Sequence, residues 1–193
     1  NLWSGIEKAD SIVFNPHKWL GAQFDCSVQF LKDPSIQKNT LSISPEYLKT
    51  KGVDGIINLS DYTIQLGRRF RSLKLWFLIR SEGMSGLKKV IRNHVNWTED
   101  FYHKIKKLDK IEIVTPPILS LFTFRFVKEG VKNLDELNER ILSEINDEGT
   151  IYLTPTKVKN KYVIRFTAGT FEMEKKDIDV AYQCILQKTE SLK

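Results

Sequence analysis

The sequence has few of the features that mark secreted, zinc-binding or membrane proteins. Its two cysteines, Cys26 and Cys184, lie far apart and form no CxxC pair. Such sparse use excludes a zinc finger and a disulfide framework and is typical of a reducing compartment. No segment approaches the ~18 consecutive apolar residues of a membrane-spanning helix. We therefore expect a cytoplasmic protein with no membrane partner and no metal site.

The composition is that of a globular protein with its charge spread over the surface. Of 193 residues, 41% are hydrophobic and 28% are charged, and six prolines and ten glycines exclude collagen-like or low-complexity material. The net charge is +6, and the basic residues occur in short groups, such as Lys104–Lys107, interleaved with apolar positions. This distribution is typical of a solvated helix face. Because no nucleic-acid-binding signature accompanies it, we expect no nucleic-acid partner.

Apolar periodicity predicts strands that alternate with helices, which indicates the α/β class. Strands are predicted at Ser11–Phe14 and at Phe24–Phe30, where apolar and polar residues alternate strictly. Helices are predicted at Phe70–Ile79 and from about Ser85 to Leu108. The intervening Lys32–Ser60 is polar and irregular, and a connection of this length is typically functional or mobile.

The chain beyond residue 85 predicts a small α+β unit with the order α-β-β-α-β-β-α. Its middle helix should begin at Asn133, which forms a capping box with Glu136, and end at Gly149. Its four strands are predicted at Ile111–Val114, Leu119–Val127, Ile151–Leu153 and Tyr162–Phe166.

A domain boundary near Gly83–Gly86 divides the chain into residues 1–84 and 85–193. Two strands and one helix are too few to close a hydrophobic core. Residues 1–84 are therefore expected to be the end of a larger domain.

Lys18 is the residue with the clearest chemical potential. It follows a strand and a turn and comes directly after His17. Partial desolvation of an amine favours its neutral form, which can form a Schiff base with a carbonyl group. A lysine in a turn is also a common solvated surface group, so from the residues alone both interpretations stay open.

Two segments resemble the signatures of one enzyme family. The first is Asn15-Pro16-His17-Lys18-Trp19-Leu20, followed by Phe24-Asp25-Cys26-Ser27. The second is Gly67-Arg68-Arg69-Phe70-Arg71-Ser72-Leu73-Lys74-Leu75-Trp76-Phe77. Both resemble aromatic-L-amino-acid decarboxylases, which depend on pyridoxal 5'-phosphate (PLP). The resemblance implies the aspartate-aminotransferase-like fold, with residues 1–84 as the end of the PLP-binding large domain and 85–193 as the small C-terminal α+β domain.

The resemblance also implies roles for the residues around the cofactor. Lys18 would bind PLP covalently, and His17 and Asn15 would lie near the cofactor phosphate. Gly67 would begin the loop that approaches the cofactor phosphate of the neighbouring subunit. The active site is therefore expected at the interface of a homodimer.

Tyr47 occurs in Pro45-Glu46-Tyr47-Leu48, at the family's distance from Lys18. The decarboxylases carry a tyrosine at this place on a mobile loop, where it protonates the carbanion left by the loss of CO₂. Related aldehyde synthases carry phenylalanine there. The resemblance therefore implies that Tyr47 is the proton donor. A tyrosine that packs the loop onto the surface is the other interpretation.

The expected function is the PLP-dependent decarboxylation of an L-amino acid, expected to be aromatic, to the amine and CO₂. Tyrosine, DOPA, tryptophan, phenylalanine and histidine stay open as substrates. The chain begins at Asn1 rather than Met, and the family's ring-stacking histidine and ring-nitrogen aspartate would lie upstream. We therefore expect the C-terminal portion of an enzyme, inactive by itself. The alternative is a truncated or degenerate, non-catalytic remnant that acts as a binding module.

Overall fold

The computed structural model describes residues 2–43 and 57–192. The chain divides into two compact units, Asn1–Ser81 and Glu82–Lys193, called here the first and the second unit. The division lies three residues before the boundary expected from the sequence. No helix in the described ranges combines the length and the apolar character that crossing a membrane requires.

The first unit contains a two-stranded antiparallel sheet and a short helix. Strand β1 (Ser11–Phe14) pairs with β2 (Val28–Leu31), and Ser11 lies opposite Leu31. Helix α1 (Pro34–Leu41) begins after Asp33, whose carboxylate accepts a hydrogen bond from the Ser35 N–H at 2.9 Å. Two 3₁₀ helices lie at Ile6–Lys8 and Leu59–Tyr62.

The prediction that Lys32–Ser60 is irregular is wrong for Pro34–Leu41, because these residues form helix α1. The eight residues of α1 bury no side chain, so apolar periodicity gave no signal there. The available signal was the pair Asp33-Pro34, a helix-capping residue followed by the residue favoured at the first helical position.

The predicted strand Phe24–Phe30 is also wrong in its first half, because strand β2 begins only at Val28. The predicted buried face does not exist as such: Cys26 is 2% exposed, whereas Phe24 is 77% and Phe30 is 57% exposed. The backbone around Cys26 instead folds onto the preceding turn, where its carbonyl oxygen accepts a hydrogen bond from the His17 N–H at 3.3 Å.

Helix α2 (Ser72–Ile105) contains one non-helical residue, Gly83, with φ 67° and ψ 165°. A positive φ is the left-handed region in which glycine avoids the steric penalty of a Cβ atom. The two helices predicted from the sequence are therefore confirmed as two helical segments separated at Gly83, with the outer ends at Ser72 and Ile105.

The second unit contains a four-stranded antiparallel sheet in the order β3-β4-β6-β5. The predicted α-β-β-α-β-β-α order is confirmed. After α2 its elements are β3 (Ile111–Ile118), β4 (Leu121–Phe126), α3 (Leu134–Asp147), β5 (Thr154–Val158), β6 (Lys161–Thr167) and α4 (Lys175–Ser191).

All four strands of this unit differ from the predicted bounds, β4 and β6 by one or two residues at each end and β3 and β5 by more. Strand β3 continues through Pro116–Pro117 to Ile118. The two prolines lack N–H groups, but β3 is an edge strand and its register shifts between Ile113 and Ile118, so no hydrogen bond of the sheet is lost. The predicted strand Ile151–Leu153 is wrong: β5 shares no residue with it and begins only at Thr154, because the Leu153 backbone is engaged by the Asn146 side chain on α3.

Aromatic side chains form the centre of the second unit's core. Phe101 from α2 stacks on Phe166 from β6, with ring centroids 4.0 Å apart. Phe122, Phe124 and Phe126 from β4 are each 0% exposed. Stacked and edge-on rings add to the stabilisation that burial alone provides.

Candidate functional site

Lys18 lies in a compact turn, residues 15–22, called here the lysine turn. The Lys18 N–H donates to the carbonyl oxygen of Asn15 at 2.9 Å, and the Lys18 carbonyl oxygen accepts from the Gly21 N–H at 3.2 Å. The Ala22 N–H closes the turn on the carbonyl oxygen of Pro16 at 3.0 Å. Three backbone hydrogen bonds therefore hold the residue that carries the amine.

The lysine turn is the best-packed part of the first unit. Within the ranges of this unit that the structure describes, the buried residues are Pro16, Ala22 and Cys26. The rest of the unit exposes large apolar side chains, among them Phe70 at 73% and Phe77 at 57%. The backbone that positions Lys18 is therefore more fixed by packing than the strands and helices around it.

The imidazole of His17 is held against the backbone of Cys26. Its Nδ1 lies 3.1 Å from the amide nitrogen and 2.6 Å from the carbonyl oxygen of Cys26. The ring also packs edge-on against Phe24, with the centroids 4.9 Å apart. With Nδ1 engaged, Nε2 is the ring nitrogen that can bind another group, and among the described residues no hydrogen bond engages it.

Asn15 is joined to the residue that immediately precedes strand β2. The Ser27 hydroxyl donates to Asn15 Oδ1 at 2.6 Å. Because the amide oxygen is the acceptor in this bond, the amide nitrogen keeps two N–H groups for an anionic acceptor. Asn15 and His17 thus bring hydrogen-bonding nitrogens to the turn that carries the amine.

The side chain of Lys18 itself is exposed. Its ammonium group makes no hydrogen bond or ion pair with another residue of the described ranges. Lys18 is therefore a primary amine on a fixed backbone, accessible to a reactant and not consumed by a structural ion pair.

Residues of the second signature bind the segment next to the lysine turn. Arg71 Nε donates to Asp25 Oδ2 at 2.8 Å, and Lys74 Nζ donates to the carbonyl oxygen of Phe24 at 2.9 Å. The hydrogen bond from Arg71 holds the pKa of the Asp25 carboxyl below its usual range. No role was expected for Asp25, Arg71 or Lys74, although all three lie inside the two signatures.

Gly67 is exposed, and no heavy atom lies within 4 Å of the position that a Cβ atom would occupy. Its backbone is not among those with a positive φ. Neither packing nor conformation in the described part of the chain therefore requires glycine here.

The structure brings three of the five predicted site residues together in the lysine turn, namely Asn15, His17 and Lys18. Gly67 makes no hydrogen bond to that turn in the portion that the structure covers. Tyr47 lies outside the described residues, so its role stays a prediction. In the ranges with coordinates, no group of three or more His, Cys, Asp or Glu side chains is placed to hold a metal ion.

Comparison with protein families and curated proteins gives consistent matches. The model of the pyridoxal-dependent decarboxylase conserved domain matches residues 1–127. A tryptophan decarboxylase from Camptotheca acuminata is 36% identical over 97% of this chain and 39% of its own length. An aromatic-L-amino-acid decarboxylase from Mus musculus is 38% identical over 95% of this chain and 38% of its own length. A phenylacetaldehyde synthase from Arabidopsis thaliana is 36% identical over 97% of this chain and 39% of its own length.

Solved structures agree with these relatives. The crystal structure of Oryza sativa TDC with PLP and tryptamine superposes with a TM-score of 0.92 at 31% identity, covering 98% of this chain and 40% of that one. The fold expected from the sequence is thereby confirmed, and the chain spans about 39% of the length of the curated relatives that it matches. The predicted resemblance is also confirmed: the chain belongs to the pyridoxal-dependent decarboxylase family.

Proposed function

We propose that the full-length protein decarboxylates an aromatic L-amino acid to the amine and CO₂ with PLP as cofactor, and that this chain supplies its C-terminal portion. The observation that carries the proposal is the amine of Lys18, exposed and unpaired in the described structure, on the turn that holds two of the three buried residues described in its unit. The named activities of the relatives from Camptotheca acuminata and Mus musculus support an aromatic substrate.

The residues of the lysine turn fit two of the groups of PLP. An aldehyde needs a primary amine, which Lys18 supplies, and a phosphate needs hydrogen-bond donors, which Asn15 and His17 supply. When bound, PLP provides an electron-withdrawing ring that accepts the electron pair released as CO₂ departs.

Each proposed site residue then has a distinct task. Lys18 binds the cofactor covalently, while Asn15 and His17 orient its phosphate. Tyr47 would deliver a proton to the carbon that has lost CO₂. The loop that begins at Gly67 would approach the cofactor phosphate bound by a neighbouring subunit, so we propose a homodimer. The sparse cysteine use supports a cytoplasmic location.

The alternative function is that of a non-catalytic remnant that binds a partner. It predicts that Lys18 has no special reactivity, because a surface lysine in a structural turn needs none. The two proposals therefore differ in whether the cofactor becomes attached to this one amine.

The test is borohydride reduction of the full-length protein incubated with PLP. We expect one cofactor per chain to become covalently fixed at Lys18, and Lys18→Ala to abolish both fixation and amine production. Lys8→Ala, which removes another lysine of the same unit, is the control and should retain both. Equal fixation in Lys18→Ala and wild type would refute the assignment, and its absence from the wild type would favour the remnant.

A further inference from the structure

The contact between the two signatures continues through the backbone to the lysine turn. Arg71 Nε binds the carboxylate of Asp25 at 2.8 Å, and Lys74 Nζ reaches the carbonyl oxygens of Phe24 and Asp25 at 2.9 and 3.3 Å. The Cys26 thiol donates to the Arg71 carbonyl oxygen at 3.7 Å. Side chains and backbone at the start of α2 thus hold three consecutive residues.

The same three residues lead directly to the imidazole beside Lys18. The Cys26 carbonyl oxygen accepts the His17 N–H, and the Cys26 amide nitrogen lies 3.1 Å from His17 Nδ1. A continuous path of contacts therefore runs from Arg71 through Asp25 and Cys26 to His17, the residue that precedes Lys18.

Packing alone holds this segment weakly. Phe24 is 77% exposed, and within the segment from Phe24 to Ser27 Cys26 is the one buried residue. The side chains of Asp25 and Arg71 are half-buried, at 30% and 24% exposure, so their charge-assisted bond is less screened than a fully exposed pair. The hydrogen bond from Arg71 also lowers the pKa of the Asp25 carboxyl, so the bond favours the ionised form.

We infer that Asp25 and Arg71, assisted by Lys74, are positioning residues that fix His17 and the turn carrying Lys18 in the geometry that accepts the cofactor. This inference rests on the proposed role of Lys18. None of the three touches the reacting atoms; they act through Cys26 and His17. Loss of the ion pair frees the segment from α2 and allows His17 to leave Cys26.

The test compares full-length wild type with Asp25→Asn, Arg71→Gln and the double variant. In the cofactor-free proteins, hydrogen exchange of the amides of Gly21, Ala22 and Cys26 is expected to be at least fivefold faster in each variant. PLP affinity, followed by the absorption of the bound cofactor, is expected to fall at least tenfold. Since the pair acts as one unit, the double variant should lose no more than either single one.

Controls separate this effect from general destabilisation. Lys38→Gln breaks another ion pair of the first unit, with Asp61, and should leave exchange and affinity unchanged. Lys74→Met keeps the aliphatic stem while removing two hydrogen bonds, and should give a smaller increase in exchange and a smaller loss of PLP affinity. It replaces Asp25→Asn in the test if that variant does not fold.

Two results would overturn the inference: unchanged exchange at the three amides in Asp25→Asn and Lys74→Met, or increases in exchange rate that multiply in the double variant. Both are independent of the proposed function, because exchange is measured without cofactor. Failure of the proposed function would instead show as a full-length wild type in which borohydride fixes no PLP, or as fixation that survives Lys18→Ala.

Discussion

Asn138 on α3 is a fully buried amide that connects the helix to the sheet. Its Oδ1 accepts the Phe126 N–H at 2.7 Å, and its Nδ2 donates to the carbonyl oxygens of Phe126 and Leu134, both at 2.8 Å. The pairing of β4 with β6 ends at Phe124, so beyond it the amide serves as donor and acceptor for Phe126. Asn138→Ala removes these bonds without altering the fold pattern.

The expected loss follows from the groups left behind. A buried backbone N–H or C=O without a partner costs about 1–3 kcal/mol, and Phe126 would have one of each. The Leu134 carbonyl oxygen lies within the helix, so losing the Asn138 side-chain bond adds no further penalty. Alanine favours the helix over asparagine by about 0.5 kcal/mol, which offsets part of the loss. We therefore expect Asn138→Ala to lower the free energy of unfolding of the second unit by ~3 kcal/mol.

Urea unfolding of the 193-residue chain, followed by circular dichroism, measures this loss. Asn96→Ala replaces an exposed asparagine on α2 and should change the free energy of unfolding by no more than about 0.5 kcal/mol. A loss below about 1 kcal/mol in Asn138→Ala would refute the reasoning, because it would mean that water or a rearranged neighbour satisfies Phe126.

Three further predictions concern chemistry, pH and surface. In the full-length protein under air, Tyr47→Phe should lose most amine production and gain aldehyde, ammonia and peroxide. Each ~1.4 kcal/mol of difference between the two barriers changes the ratio of amine to aldehyde tenfold. An unchanged amine yield would remove Tyr47 from the mechanism. Burial lowers the pKa of His94 below its usual 6.5, so the unfolded state binds a proton more readily than the folded state. The free energy of unfolding should therefore fall from pH 7.5 to pH 5.5. In His94→Gln the urea midpoint should fall less over this range, and a fall equal to that of the wild type would contradict the assignment to His94. Phe70 and Phe77, 73% and 57% exposed, should bind a hydrophobic dye in the 193-residue chain, and replacing both by serine should reduce its fluorescence, whereas undiminished fluorescence would place the dye elsewhere.

The helices of the second unit were predictable because their signals are local. The predicted cap at Asn133 forms, with its Oδ1 accepting the Glu136 N–H at 3.2 Å, and Gly149 takes a positive φ of 72° after α3. The predicted capping box is incomplete, because the Glu136 carboxylate accepts from the Asn133 side-chain amide rather than from its backbone N–H. Caps, glycine and apolar periodicity act over a few residues, so the sequence alone carries them.

The boundary of β2 was not predictable by the same means. Alternation of polar and apolar residues from Phe24 onward favours a strand, but the backbone near Cys26 bonds to His17 instead. Tertiary contacts override local strand propensity in this way wherever another partner satisfies the backbone.

For the candidate site, the sequence by itself determined which proposed residues lie together, since Lys18 and its neighbours Asn15 and His17 are adjacent along the chain. Only the tertiary structure decided what holds that turn. The bond between Arg71 and Asp25 joins residues 46 positions apart. No periodicity or cap encodes such a pairing, because it forms only when the folded chain brings the start of α2 beside the segment that precedes β2.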